Sequence, residues 1–279
     1  MDEATDLVKK ALNVPNGYSV IFLQGGASLG FAISALNMMR DTKRATYINT
    51  GTWSKKAMTE AKKAGYEVLE AASSADTNFN YIPKNLVTEA NSDYLHFTSN
   101  NTIFGTQFKE IPQSPLPLVC DMSSDIFSKE INVADFDLIY AGAQKNMGPA
   151  GTTLYIVKDE ALGKSTSAFM PTYLDLKTHA DKDSMFNTPP VFAVYACKLS
   201  MEWLKSIGGI EEIEKRNRLK AKKLYDEIDN NELFKGFAAV EDRSIMNVTF
   251  NLTDESNKSM FDEIALKKNI SGINGHRSV

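Results

Sequence analysis

Several stretches place reactive or ligand-holding side chains just after apolar runs, where ligands gather in open α/β sheets. The run DLIYAG (137–142) leads into AGAQKNMGPAG (141–151), which carries Lys145, and PLVCD (117–121) ends on Asp121. A lysine amine held against a ligand carbonyl can condense with it, and a carboxylate beside a pyridine nitrogen keeps that nitrogen protonated, strengthening the ring as an electron sink. The 24 residues from Asp121 to Lys145 leave room for a strand, a crossover and a parallel return strand, so acid and amine could face one cleft. Taken singly, Lys145 would be a solvated loop charge and Asp121 a turn residue. Their joint placement is the signal.

A second chemistry competes for the glycine turn QGGASLGF (24–31), where an apolar run ends and a helix begins with free N–H groups that attract phosphate. Neither the dinucleotide fingerprint nor the G-K-[ST] of a P-loop is present. Gly26-Ala27-Ser28-Leu29-Gly30 does satisfy G-x-S-x-G, the nucleophile elbow of serine hydrolases, with Asp121 and His276 following in chain order. The simpler alternative is a strand-to-helix turn with Ser28 as N-cap. Trp53 in NTGTWSKKA (49–57) offers a face for a flat ring, or merely fills a core. His276-Arg277, just after Gly275, suits a phosphate or carboxylate, or is a solvated basic pair. His96, His179 and His276 have neither i, i+4 pairing nor companion cysteines, so no metal site is expected.

The elements that must position these residues alternate. Runs at 18–23, 45–50, 67–72, 93–98, 117–121, 137–142 and 152–157 read as strands, several continuously apolar as in a sheet covered on both faces, with helices between the earlier ones. The fold class is α/β with a mainly parallel sheet. Leu7, Val8, Ala11 and Leu12 mark an opening helix, and Tyr195, Leu199, Trp203 and Ile207 recur every four residues before Gly208-Gly209. The double glycine is the expected boundary between a large domain (1–208) and a smaller α+β domain (209–279). In the latter, 210–229 reads as a charged surface helix, MNVTFNL (246–252) as a strand and 259–268 as an amphipathic helix. It stops at Val279 with no closing element to finish its sheet.

Composition bounds the partners. With 279 residues, 43% hydrophobic and 24% charged, the chain is an ordinary globular one, and its net charge of −4 offers no field for nucleic acid or an anionic membrane. Cys120 and Cys197 stand apart, which fits a reducing compartment, and no run approaches a membrane span or a signal peptide, so a cytoplasmic protein is expected.

At the level of whole motifs, the chain resembles the phosphoserine aminotransferase family, class-V enzymes of fold-type I. The stretches that carry the resemblance are FLQGGAS (22–28), NTGTWSKKA (49–57), TSNNTIFGTQF (98–108), CDMSSDIFS (120–128), IYAGAQKNMGPAG (139–151), THADKDSMFNTPP (178–190), EDRSIMNVTF (241–250) and GHRSV (275–279). The resemblance implies a seven-stranded-type sheet and pyridoxal 5'-phosphate as cofactor. Lys145 would bond covalently to it and then shuttle the α-proton of the substrate. Asp121 would pair with the ring nitrogen, Trp53 would stack on the ring, and Gln144 and Thr102 would bond its hydroxyl region. Ala27 and Ser28 would hold the cofactor phosphate, making Ser28 an anion ligand. Asn187 and Thr188 would reach the phosphate of the other subunit of a homodimer, and His276 and Arg277 would take the substrate phosphate. The implied reaction is O-phospho-L-serine plus 2-oxoglutarate giving 3-phosphonooxypyruvate plus L-glutamate, by ping-pong exchange in serine biosynthesis.

The chain also departs from the family. Members carry an earlier segment with an N-F-x-A-G-P-like start and a His-Arg pair, and a later R-A-S-x-Y-N motif whose Arg anchors the substrate carboxylate; a family Gln is replaced around Leu29-Gly30. The expectation is a chain that binds the cofactor and transaminates weakly or not at all, the alternative being a fragment that binds cofactor without turnover.

Overall fold

Apolar runs too short for helices and flanked by turn residues become strands here, and the longer amphipathic stretches wrap them. The computed structural model describes residues 1–88 and 91–276. In chain order, helix α1 (Asp2–Ala11) precedes β1 (Tyr18–Gly25), α2 (Ala27–Met38), β2 (Arg44–Asn49), α3 (Thr52–Lys63) and β3 (Glu67–Ser73). Strand β4 (Tyr94–Thr98) runs into a hairpin of β5 (Asn100–Asn101) and β6 (Thr106–Gln107), followed by β7 (Leu118–Asp121), β8 (Leu138–Gly142) and β9 (Gly151–Lys158). Then come α4 (Leu176–Ala180), α5 (Val191–Ser206), α6 (Gly209–Asn230), β10 (Phe234–Gly236), β11 (Phe250–Leu252) and α7 (Lys258–Lys267).

The sheet has the order β1-β9-β8-β7-β4-β2-β3. Strands β3, β2, β4, β7 and β8 pair parallel, and β9 alone runs against its neighbours β1 and β8. Successive side chains point to opposite faces. Val119 therefore joins the core beneath α2 and α3, with Phe31, Ala57 and Tyr140, while Cys120 joins the core beneath α1 and α5, with Val8, Phe97 and Val194. Both faces are dry, as the continuous apolar runs predict.

Three elements differ in detail from the sequence reading. The Tyr195–Leu199–Trp203 stripe of α5 points outward, each residue about half exposed, and the smaller Ala193, Val194, Cys197, Met201 and Leu204 pack inward. A helix apolar on most of its surface has no unique inward face by spacing alone, and the sheet accepts the flatter one. Of the expected strand 246–252 only Phe250–Leu252 pairs, with Phe234–Gly236; residues just before it turn toward the β5–β6 hairpin instead. Ser28 is not an N-cap: that position is Gly26, and Ser28 lies within the first turn of α2. The chain turns at Gly208 and Gly209, both with positive φ, between α5 and α6. Among the described residues no helix is long and apolar enough to cross a membrane, and no cluster of His, Cys, Asp and Glu could hold a metal ion.

Candidate active site

The strand ends of β1, β4, β7 and β8 meet on one side of the sheet, and the polar residues that follow them converge there. Lys145 lies in the turn between β8 and β9, tied at its base by Ala143 N–H to Thr152 O (3.0 Å) and Gly148 N–H to Ala143 O (2.8 Å). Behind it α5 presses close: a β-carbon on Gly148 would stand 2.7 Å from Cys197 Sγ, so only glycine lets helix and turn approach. The Lys145 Nζ donates to Thr102 Oγ1 at 2.7 Å and lies 4.8 Å from the centre of the Trp53 ring.

Asp121 ends β7 and is 4% exposed. One of its carboxylate oxygens receives both the N–H (2.9 Å) and the hydroxyl (2.5 Å) of Ser123, whose Oγ in turn accepts from Gly142 N–H (3.0 Å). Burial raises the Asp121 pKa, opposed by those Ser123 bonds and by the charge of Lys145. Desolvation lowers that of Lys145, opposed by the carboxylates of Asp121 and Asp125. The amine is thus closer to its neutral, nucleophilic form than a surface lysine.

The glycine turn faces the same space. Gly25 has φ +105°, and Ala27 and Ser28 are the first residues of α2, where amide hydrogens have no partner within the helix. A β-carbon on Gly142 would stand 2.9 Å from Ala27 N and 2.8 Å from Gln144 Oε1, so the helix start, the end of β8 and Gln144 share one tight corner. Trp53 follows a turn in which Ser54 Oγ accepts from Thr50 N–H and Gly51 N–H, both at 3.0 Å. Its indole Nε1 is buried without a hydrogen-bond partner among the described residues, where buried donors are ordinarily paired.

Eight of the eleven residues singled out from sequence therefore surround one cleft: Ala27, Ser28, Trp53, Thr102, Asp121, Gln144 and Lys145, with His276 edge-on to Trp53 at 6.0 Å. Arg277 lies outside the described residues. Asn187 and Thr188 sit against Gln24 of their own chain, whose Nε2 donates to Thr188 O at 2.6 Å, while Asn187 Nδ2 reaches Gln24 Oε1 at 3.4 Å. The hydrolase alternative finds no support: the Asp121 bonds described come from Ser123, and His276 packs on Trp53. The sequence reading missed Ser123, although a serine two residues beyond a strand-end aspartate is a recognisable turn signal.

A class-V aminotransferase family model matches residues 1–279. A phosphoserine aminotransferase of Flavobacterium psychrophilum is 53% identical over 280 residues, covering 100% of this chain and 78% of that protein. One from Bacteroides thetaiotaomicron is 52% identical over 281 residues, again covering 100% and 78%. Among solved structures, a phosphoserine aminotransferase studied for radiation damage of its Schiff base superposes with TM-score 0.95 at 44% identity, over 100% of this chain and 78% of that one. That of Bacillus circulans gives 0.95 at 40% identity, over 99% and 77%.

Proposed function

The chain belongs to the class-V aminotransferases, and on that premise we propose that it exchanges the amino group between O-phospho-L-serine and 2-oxoglutarate, giving 3-phosphonooxypyruvate and L-glutamate. The cofactor of such enzymes is pyridoxal 5'-phosphate, and the residues present fit it. An unpartnered buried indole N–H, an amine, a buried carboxylate and a helix start with free amides answer to a flat, anionic, aldehyde-bearing pyridine. When bound, that group supplies an aldehyde for the substrate amine and a ring into which electrons from the α-carbon can spread.

We assign the chain's own residues the following parts. Asp121, locked by Ser123, holds a proton at the pyridine nitrogen. Ala27 and Ser28 bind the phosphate at the positive end of α2, Trp53 covers the ring and excludes water, and Gln144 and Thr102 orient its hydroxyl side. Lys145 would hold the cofactor through its amine, and its Nζ would carry the proton of the substrate α-carbon. His276 and Arg277 receive the substrate phosphate, and an empty cationic pocket disfavours plain serine.

We assign a homodimer, with Asn187 and Thr188 serving the partner's cofactor phosphate. Support comes from the outward Tyr195–Leu199–Trp203 stripe that follows them, together with Val191 and Phe192, 65% and 78% exposed. Residues 1–208 form the cofactor domain and 209–279 the smaller one. The two cysteines are free and buried, which suits a reducing cytoplasm and a place in serine biosynthesis.

The observation that carries the assignment is Lys145 Nζ held between Thr102 Oγ1 and the Trp53 face, with the charge of a buried Asp121 acting on it. Visible spectra of the chain with pyridoxal phosphate test it. A band that needs Lys145 and is bleached by glutamate and by phosphoserine is expected; a band equally strong in Lys145→Ala, or none in the parent chain, refutes it.

A further inference from the structure

Three consecutive residues of the β5–β6 hairpin each hold a different part of the molecule. Thr102 accepts from Lys145 Nζ (2.7 Å). Asn101 Oδ1 accepts from Thr50 Oγ1 (3.0 Å), in the turn that leads to Trp53. Asn100, only 1% exposed, uses both ends of its amide: Oδ1 accepts from Ser244 Oγ (2.5 Å), and Nδ2 donates to Ser124 Oγ (2.9 Å) and to Asn247 Oδ1 (2.8 Å). Ser124 follows Asp121 and returns a bond from its Oγ to Asn100 O (2.9 Å).

Asn247 lies in the segment that the sequence reading assigned to a strand, Ser244 lies just before it, and both meet this hairpin instead. Ser244 N–H donates to Gly105 O (2.8 Å), and Ser244 Oγ also accepts from Asn247 N–H (3.0 Å). Room for a side chain is absent on that side: a β-carbon on Gly105, at φ +69°, would fall 2.2 Å from Thr249 Oγ1.

We propose that Asn100, seated by Ser244 and Asn247, is a positioning residue that sets Thr102 against the amine of Lys145, so that the segment after α6 fixes the geometry of the cofactor-bonding lysine from behind. The inference deepens the function proposed above and rests on its reading of Lys145. A two-residue strand cannot hold register by its ladder alone, because few backbone bonds oppose the loss of chain entropy. Fully satisfied buried amides supply the missing constraint, and a half-satisfied Asn100 would loosen the hairpin.

The test is competitive acetylation of the cofactor-free 279-residue chain across pH, with the labelling midpoint of Lys145 read by mass spectrometry. It needs neither cofactor nor turnover, so its failure leaves the assigned reaction standing. Thr102→Val removes an acceptor from the ammonium form and should lower the midpoint by roughly 0.5–1 pH unit. The charged groups acting on Lys145, Asp121 and Asp125, stay in place in every variant. Ser244→Ala and Asn247→Ala should lower the midpoint in the same sense, by at least half as much, and add nothing in a Thr102→Val background. Phe250→Leu, which thins the Phe234–Phe250–Phe261 cluster without touching the hairpin, should lower Tm and leave the midpoint unmoved. An unmoved midpoint in both node variants, an upward shift, or an equal shift in Phe250→Leu overturns the proposal.

Discussion

Replacing Gly142 with alanine probes the corner where the end of β8 meets the start of α2. Its φ is not in the left-handed region, so alanine fits the backbone and the effect reduces to contacts. The new methyl would stand 2.8 Å from Gln144 Oε1, the free end of an exposed side chain that can swing away, and 2.9 Å from Ala27 N, which cannot move without the helix. An ordinary contact needs about half an ångström more, and forcing a group into a packed site costs about 1–3 kcal/mol. In the cofactor-free chain the half-exposed helix start can ride outward, so Tm should fall little. If the helix start is the phosphate seat, the amides of Ala27 and Ser28 return to the phosphate when cofactor binds, and the strain then appears as a roughly five- to 150-fold rise in Kd, by the rule that about 1.4 kcal/mol is tenfold. Gly26→Ala is the control, since its extended backbone accepts any residue and its methyl would meet only Gln144 Oε1 at 3.9 Å. Titration of the visible band, with thermal melting of the cofactor-free chains, gives both numbers. Unchanged cofactor affinity in Gly142→Ala, or equal losses in the two variants, would refute the assignment of the helix start as the phosphate seat.

Mixing Lys145→Ala with Asn187→Ala chains should restore one working site per hybrid, because one site of the mixed dimer then has both residues intact; no recovery of the glutamate half-reaction would place Asn187 within its own subunit's site. Burial lowers the His96 pKa to about 3, from 6.5, with its Nε2 sharing a hydrogen with Tyr140 Oη at 2.8 Å. The unfolded chain therefore binds the extra proton between those values, and stability should fall as pH drops from 6.5 toward 3 by up to about 1.4 kcal/mol per unit. His96→Gln should flatten that fall in denaturant midpoints, and an unaltered slope would show that His96 is not its source. Ser123→Ala should leave the fold intact but shift the pH dependence of the cofactor band, since Asp121 loses a hydroxyl donor at 2.5 Å; a Ser123→Thr chain that behaves like the parent would agree, and a band unchanged in Ser123→Ala would remove Ser123 from the site.

Strand positions were legible because buried strands leave few polar residues, and the Asp121–Lys145 spacing was legible because β7 and β8 are adjacent and parallel. Lateral order was not: nothing local in Tyr18–Gly25 says that it pairs with Gly151–Lys158. The inward face of α5 was hidden because Tyr195, Leu199 and Trp203 are as apolar as the residues that replace them in the core. Residues 246–249 alternate as a strand would, yet they meet the hairpin through their own side chains, Asn247 with Asn100 Nδ2 and Thr249 with Phe104 O, and long-range side-chain bonds leave no periodic trace. That Lys145, Asp121, Trp53 and the glycine turn would gather was readable from their places after apolar runs; the Ser123 brace and the Asn100 junction emerge only when separate strand ends are brought together.

The antiparallel strand β9 has a further consequence, for synthesis. At the edge of the sheet β1 pairs with β9 alone among the described strands, so Val20, Ile21, Phe22 and Leu23 have no ladder partner until residue 151 and beyond have left the ribosome. At roughly 5–20 residues per second the wait is on the order of 6–25 s. For that interval an apolar strand made early stands without its neighbour, a target for holding chaperones and for wrong pairings. The corner between Ala27 and Gly142 cannot close sooner either. On the proposed phosphate seat, cofactor loading is therefore a late event in the life of each nascent chain, one that waits until β1 has found its last-made partner.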